Sequence, residues 1–206
     1  MQLDRPFLAV TPTVDGDVLS VLARATTSFT PPQVHRVIGH RSEAGVRRAL
    51  MRLTEQGIVT AERAGNAIQY ELNHAHLAAE AIMTIARLRD AFIARLRQHL
   101  GAWIIPTPYA ALFGSAARGA MSPSSDIDLF VVRASSVDGE DDAWTDQLHE
   151  LAVVARDWTG NDVHVLEYEE ADLLRVPRDS VLDEINQDGI ALTDPSDYLR
   201  RKLRDV

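Results

Sequence analysis

The chain has 206 residues, a formal net charge of −9, 46% apolar and 25% charged residues, and no cysteine. This composition excludes fibrous, collagen-like and wholly disordered classes, and the lack of cysteine excludes a disulfide framework, a thiolate zinc site and a thiol nucleophile. Met1-Gln2-Leu3-Asp4-Arg5-Pro6 lacks the basic-then-apolar order of a signal peptide, and no apolar run approaches the roughly 20 residues of a spanning helix, so a soluble, cytoplasmic protein without a membrane partner is expected.

Charge divides the chain: residues 1–100 hold 12 Arg against 9 Asp and Glu, whereas residues 101–206 hold 9 basic against 21 acidic residues. The halves read as different modules, the first open to a polyanionic partner. A first helix is expected from Asp15 to Ala25, with Val18, Leu19 and Leu22 on one face and Asp15 or Asp17 as its cap. A second opens at Thr30, where Pro31 takes the first helical position and Gln33 completes a Thr-x-x-Gln capping box before Val34, Val37 and Ile38. Gly39-His40-Arg41 makes a tight connection, and Ser42 caps a third helix that runs to about Gln56 with Val46, Ala49, Leu50 and Leu53 as its buried stripe. Two strand-like runs, 58–63 and 67–72, flank Ala64-Gly65-Asn66 and predict a hairpin.

The outward stripe of the third helix is Ala44, Arg47, Arg48 and Met51, with Arg41 before it and Arg52 beside it. Two helices on a short turn, the second showing small residues and arginines, suit a major groove about 12 Å wide. From about Asp15 to Asn73 the chain resembles the winged helix-turn-helix domains of bacterial transcription regulators, carried by Phe29-Thr30-Pro31-Pro32-Gln33-Val34, the Val46–Leu53 helix, Gly57-Ile58-Val59 and Arg63-Ala64-Gly65-Asn66. The resemblance implies double-stranded DNA as partner, Arg41, Arg47, Arg48 and Arg52 at the duplex, Arg63 on the wing and a homodimer on paired half-sites. A winged helix used only for protein docking or dimerisation is the alternative.

His76 to Leu100 reads as one long linker helix, with Leu77, Ile82, Ile85, Leu88, Phe92, Leu96 and Leu100 at helical spacing. The pattern then changes. Tyr109-Ala110-Ala111-Leu112-Phe113 is a short buried strand, Gly114-Ser115-Ala116-Ala117-Arg118-Gly119 a glycine turn and helix start, and Asp126-Ile127-Asp128-Leu129-Phe130-Val131-Val132 a second strand after a serine-rich loop. Alternation on a strand puts Asp126 and Asp128 on one face while Ile127, Leu129 and Val131 face a core. Two carboxylates about 4 Å apart at an effective dielectric near 20 repel by roughly 4 kcal/mol, so a cation is the natural relief. Mg²⁺ or Mn²⁺ fits, because such an ion takes one or two protein carboxylates and completes its shell with water and substrate phosphates. Gly114 permits close backbone approach, Ser115 offers a hydroxyl, and Arg118 brings a fork matched to phosphate oxygens.

Phe113-Gly114-Ser115, ten residues, then Asp126-Ile127-Asp128-Leu129 resembles the signature of the DNA polymerase beta type nucleotidyltransferase superfamily, and the flanking residues are similar to the minimal nucleotidyltransferases. The resemblance covers roughly residues 103–194, with a third strand at 162–167, a closing helix at 180–187 and a closing strand at 189–192. It implies Asp126 and Asp128 as catalytic metal ligands, and Gly114, Ser115, Arg118 and Ser125 as nucleotide-binding residues. A third carboxylate belongs on the next strand, where this sequence offers His164, with Asp162 or a register-shifted Glu167 as substitutes.

The expected architecture is α/β (α+β): a winged helix-turn-helix domain at 1–75, a linker helix at 76–102 and a small mixed-sheet nucleotidyltransferase domain at 103–206. The expected function is Mg²⁺-dependent transfer of a nucleoside monophosphate from an NTP to a hydroxyl on protein, RNA or a small molecule. Two alternatives stand beside it. In one, a transcription regulator uses the second domain to sense nucleotide or bind a partner; in the other, an antitoxin-like protein has a co-encoded toxin as partner.

Overall fold

The computed structural model describes residues 1–175 and 181–204. The chain forms two compact units. One is Arg5–Arg89, and the other is Met1–Asp4 together with Asp90–Val206. Residues 1–4 and 76–89 therefore lie on the other side of the boundaries that the sequence suggests.

In the Arg5–Arg89 unit a short 3₁₀ turn precedes α1 (Val14–Ala23), α2 (Pro31–Ile38) and α3 (Glu43–Glu55), then an antiparallel hairpin of β1 (Val59–Ala64) and β2 (Ala67–Leu72), then α4 (Ala79–Ala86). The expected caps hold at α2 and α3. Thr30 and Gln33 form the capping box, and Gly45 N–H donates to Ser42 Oγ at 3.2 Å. At α1 the N-cap is Thr13, and Asp15 and Asp17 fall in the first turn. There they favour the helix N-terminus and meet arginines: Asp17 accepts from Arg41 at 2.7 Å and Arg5 at 3.0 Å. Val18, Leu22, Val34, Val46, Leu50, Val59 and Leu72 close the core, with Ile82 and Ala86 of α4.

The long helix expected over 76–100 is two helices, α4 and α5 (Leu88–Gly101), separated at Arg87, whose N–H is shared between Met83 O and Thr84 O at 3.2 Å each. The cause is divided packing. Ile82 and Ala86 belong to the first core, whereas Phe92, Ile93, Leu96 and Leu100 belong to the second.

In the second unit β3 (Tyr109–Phe113), α6 (Gly114–Arg118), β4 (Ile127–Arg133), α7 (Asp142–Thr159), β5 (Val163–Glu169), α8 (Val181–Asp188), β6 (Ile190–Ala191) and α9 (Tyr198–Arg204) follow in order. Ser180, expected to open the closing helix, lies outside the described residues. The sheet runs β5-β4-β3-β6 and is mixed, with β4 and β5 parallel and β3 antiparallel to both β4 and β6. Pleating divides its side chains between two layers. Ala110, Leu112, Ile127, Leu129 and Val131 pack with α5 and α7 through Leu96, Leu100, Trp144 and Leu151. Tyr109, Ala111, Phe130 and Val132 pack with Leu182, Ile185 and Leu199 of α8 and α9. Each large side chain so buried contributes about 1.5–3 kcal/mol, which fixes the strands from both sides. Among the described residues no helix is long and apolar enough to cross a membrane.

Candidate functional site

The site lies where β3 ends and β4 begins. Phe113 pairs with Asp128 across the antiparallel ladder, so the next residue, Gly114, turns beside the Asp128 carboxylate. Gly114 has φ +67°, and a Cβ there would stand under 3.0 Å from Asp128 Oδ2. Both the left-handed backbone and the close carboxylate demand glycine. The short helix α6 follows and is closed by Gly119, also at positive φ, whose N–H returns to Ser115 O. Arg118, at the end of α6, is exposed and forms an ion pair with Glu184 of α8.

Asp126 and Asp128 share the sheet face of Phe130 and Val132, while Ile127 is fully buried on the other face. The parallel register sets His164 opposite Asp128. Its Nδ1 lies 3.7 Å from Asp126 Oδ2 and 3.8 Å from Asp128 Oδ1, within ion-pairing range of both when the ring is protonated. Burial pushes the Asp128 carboxyl above its usual range, and neighbouring Asp126 and Glu184 add to this while His164 and Arg118 oppose it. Glu184 is a site residue that no motif marks. Its only sequence signal is its place on the polar side of a helix whose Leu182 and Ile185 are apolar anchors.

The remaining expected residues divide. Asp162 stands immediately before β5, its carbonyl accepting from Ile127 N–H at 2.8 Å and its side chain 3.7 Å from Arg156. Glu167 falls on the opposite strand face, where it accepts from Arg133 at 2.8 Å and from the Trp144 indole at 3.1 Å. The strand slot beside Asp128 is thus His164. Ser125 is held in the serine-rich turn, its Oγ accepting from Ser122 N–H at 2.8 Å and its carbonyl from Asn161 Nδ2 at 2.8 Å. In the other unit Arg47 pairs with Glu43, Arg52 with Asp15 and Arg41 with Asp17. Arg63 donates to Gly65 O at 3.2 Å, and Arg48 is exposed on α3.

Among the described residues no group of three or more His, Asp or Glu side chains is arranged to hold a metal alone. The donor set is two adjacent carboxylates flanked by an arginine and a glycine turn, which fits a hard divalent ion arriving with substrate phosphates rather than one caged by protein.

The nucleotidyltransferase domain family matches residues 109–202, spanning β3, the glycine turn, both aspartates and α8. Residues 109–202 form a nucleotidyltransferase domain. Such domains generally use divalent metals and nucleoside triphosphates. The chain is similar to a toxin–antitoxin crystal structure with AMP-PNP, at 20% identity and TM-score 0.40, over 55% of this chain and 82% of that one. It is also similar to a mutant toxin–antitoxin MntA–HpeT structure, at 18% identity and TM-score 0.41, over the same shares of 55% and 82%. No curated protein matches. The nucleotidyltransferase domain leaves residues 5–89 outside its match.

Proposed function

We propose that this protein transfers a nucleoside monophosphate from an NTP to a hydroxyl acceptor. The observation that carries the reading is the Asp128 carboxylate lying against the Gly114 turn, with Asp126 beside it and Arg118 at the end of the same turn. Asp126 and Asp128 would hold Mg²⁺ or Mn²⁺, which supplies charge neutralisation at the phosphoryl oxygens. Gly114 leaves room for the triphosphate against the backbone, Ser115 offers its hydroxyl, and the Arg118 fork takes phosphate oxygens in exchange for Glu184. His164 faces both carboxylates and offsets their repulsion when protonated. The acceptor hydroxyl gives up its proton to solvent as its oxygen forms the new bond to the α-phosphorus, the bond from that phosphorus to the bridging oxygen breaks, and pyrophosphate leaves with that electron pair. Incubation with each α-labelled NTP and Mg²⁺ tests this. Label should reach an acceptor with wild type and not with Asp128→Asn; a wild-type protein that neither binds nor transfers any of the four nucleotides refutes it.

A second reading concerns residues 5–89. The order of three helices and a hairpin, with Arg47, Arg48 and Arg52 exposed along α3, favours a winged helix-turn-helix that binds double-stranded DNA. The Arg47 and Arg52 pairs are more than half exposed on the arginine side, and such pairs are worth only about 0–1 kcal/mol, so a phosphate can displace the carboxylate. Arg48→Ala should lower the slope of log affinity against log salt by about 0.9, the signature of one phosphate contact. An unchanged slope and affinity would remove α3 from the duplex.

A further inference from the structure

Residues 1–4 precede the 5–89 unit in sequence but fold with the nucleotidyltransferase unit. Leu3 is fully buried in that unit's core beside Met121. Its N–H donates to Met121 Sδ at 3.4 Å, and Gln2 Nε2 donates to Met121 O at 2.7 Å. A Cβ on Gly119 would lie 3.8 Å from the Asp4 Cβ, so Asp4 runs alongside the end of α6. At the other end of the loop, Met1 N donates to Thr159 O at 3.1 Å and to Asn161 Oδ1, and Asn161 Nδ2 donates to Ser125 O at 2.8 Å. The four residues thus reach both ends of the segment 119–125, the only chain between Arg118 and Asp126.

That segment has no helix or strand. Its own bonds are local: Ser125 N–H to Ser122 O, Ser122 N–H to Ser125 Oγ, and contacts among the serine hydroxyls. Beyond these it is held at its two ends, by Ala120 N–H on Ser115 O at 3.0 Å and by Asn161 Nδ2 on Ser125 O at 2.8 Å, while between them the buried anchor Met121 is met by Gln2 and Leu3. We propose that residues 2–4 are a positioning arm that fixes the 119–125 loop and thereby sets Asp126 against Asp128. Gln2 and Leu3 touch no reacting atom; they act through Met121. The inference rests on the proposed transfer function only for what the loop positions, not for whether the arm holds it.

The test uses the full chain with Gln2→Ala, Leu3→Ala and the conservative Leu3→Met. Hydrogen exchange reads the loop without nucleotide, and binding of fluorescent ATP or GTP at increasing Mg²⁺ reads the carboxylate pair. Loss of the Gln2 hydrogen bond should speed exchange at 120–126 about fivefold and raise the Mg²⁺ midpoint by a similar factor. Leu3→Ala should do more, and Leu3→Met should recover most of it. Exchange in β4 and α7 should stay at wild-type rates, which a merely structural loss of stability would not allow. Unchanged exchange at 120–126 in Gln2→Ala overturns the proposal, as does faster exchange with an unmoved Mg²⁺ midpoint. Should Leu3→Ala fail to fold, Gln2→Ala decides alone. A wild-type chain that binds neither nucleotide overturns the transfer reading, and exchange then still decides whether the arm holds the loop.

Discussion

Replacing Gly114 with alanine should inactivate the site while leaving the fold standing. Two terms can be worked from the geometry. A non-glycine residue held at φ +67° carries a left-handed penalty of roughly 1–2 kcal/mol. The added methyl would also meet Asp128 Oδ2 inside 3.0 Å, with Asp128 Cγ at 3.3 Å, so the carboxylate must withdraw. A retreat of roughly 1 Å by a group that positions reactants can cost about a hundredfold in rate. The strain lowers stability, whereas the displacement lowers transfer, and the two are measured separately. Thermal or urea unfolding should show a loss of about 1–2 kcal/mol, and transfer of label from an α-labelled NTP should fall about a hundredfold. Wild-type transfer in a folded Gly114→Ala protein would refute the claim that Asp128 and the glycine turn form one site.

Three further outcomes follow from the same geometry. Because burial raises the Asp128 carboxyl, the folded state holds that proton more tightly than the unfolded state, so this residue's contribution to stability declines as pH rises from the unfolded value through the folded one; Asp128→Asn should flatten that decline in metal-free melts between pH 3 and 7 while abolishing transfer. Glu184→Gln frees Arg118 from a half-exposed ion pair worth about 0.2–1 kcal/mol, so triphosphate binding by equilibrium titration should tighten up to about fivefold, and not at all in an Arg118→Ala background. At Asp17, burial pushes the carboxyl up, but hydrogen bonds from Arg41 and Arg5 outweigh it and hold the group below its usual range. Its contribution is therefore present above the unfolded value and lost as pH falls through the folded one; Asp17→Asn should cost about 1.5–3 kcal/mol at pH 7 and little near pH 2, measured by denaturant melts.

Local rules made much of this legible. The capping box at Thr30–Gln33, the Ser42 cap and the Gly65 turn need only nearby residues, and each stands where the sequence put it. Asp126 and Asp128 share a face because strand alternation requires it. What stayed hidden depends on partners distant in sequence. The sequence offers His164 for the slot beside Asp128 but leaves the choice over Asp162 and Glu167 open, because the β4–β5 register that pairs His164 with Asp128 is encoded by no single strand. Glu184 reaches the site because Leu182 and Ile185 seat α8 on the sheet. The break at Arg87 reflects two cores competing for one stretch of helical sequence. Helix α7 shows the same dependence: Trp144 and Leu151 are fully buried only because the sheet lies beneath them.

The anchoring of Leu3 has a consequence for synthesis on the ribosome. Leu3 N–H meets Met121 across a separation of 118 residues. At roughly 5–20 residues per second, the first residues wait on the order of ten seconds before their partner is made. The contiguous 5–89 segment is finished within that interval. Translation thus completes the intervening segment before residues 90–204 can close around Leu3, so this contact belongs to the last step of assembly rather than the first.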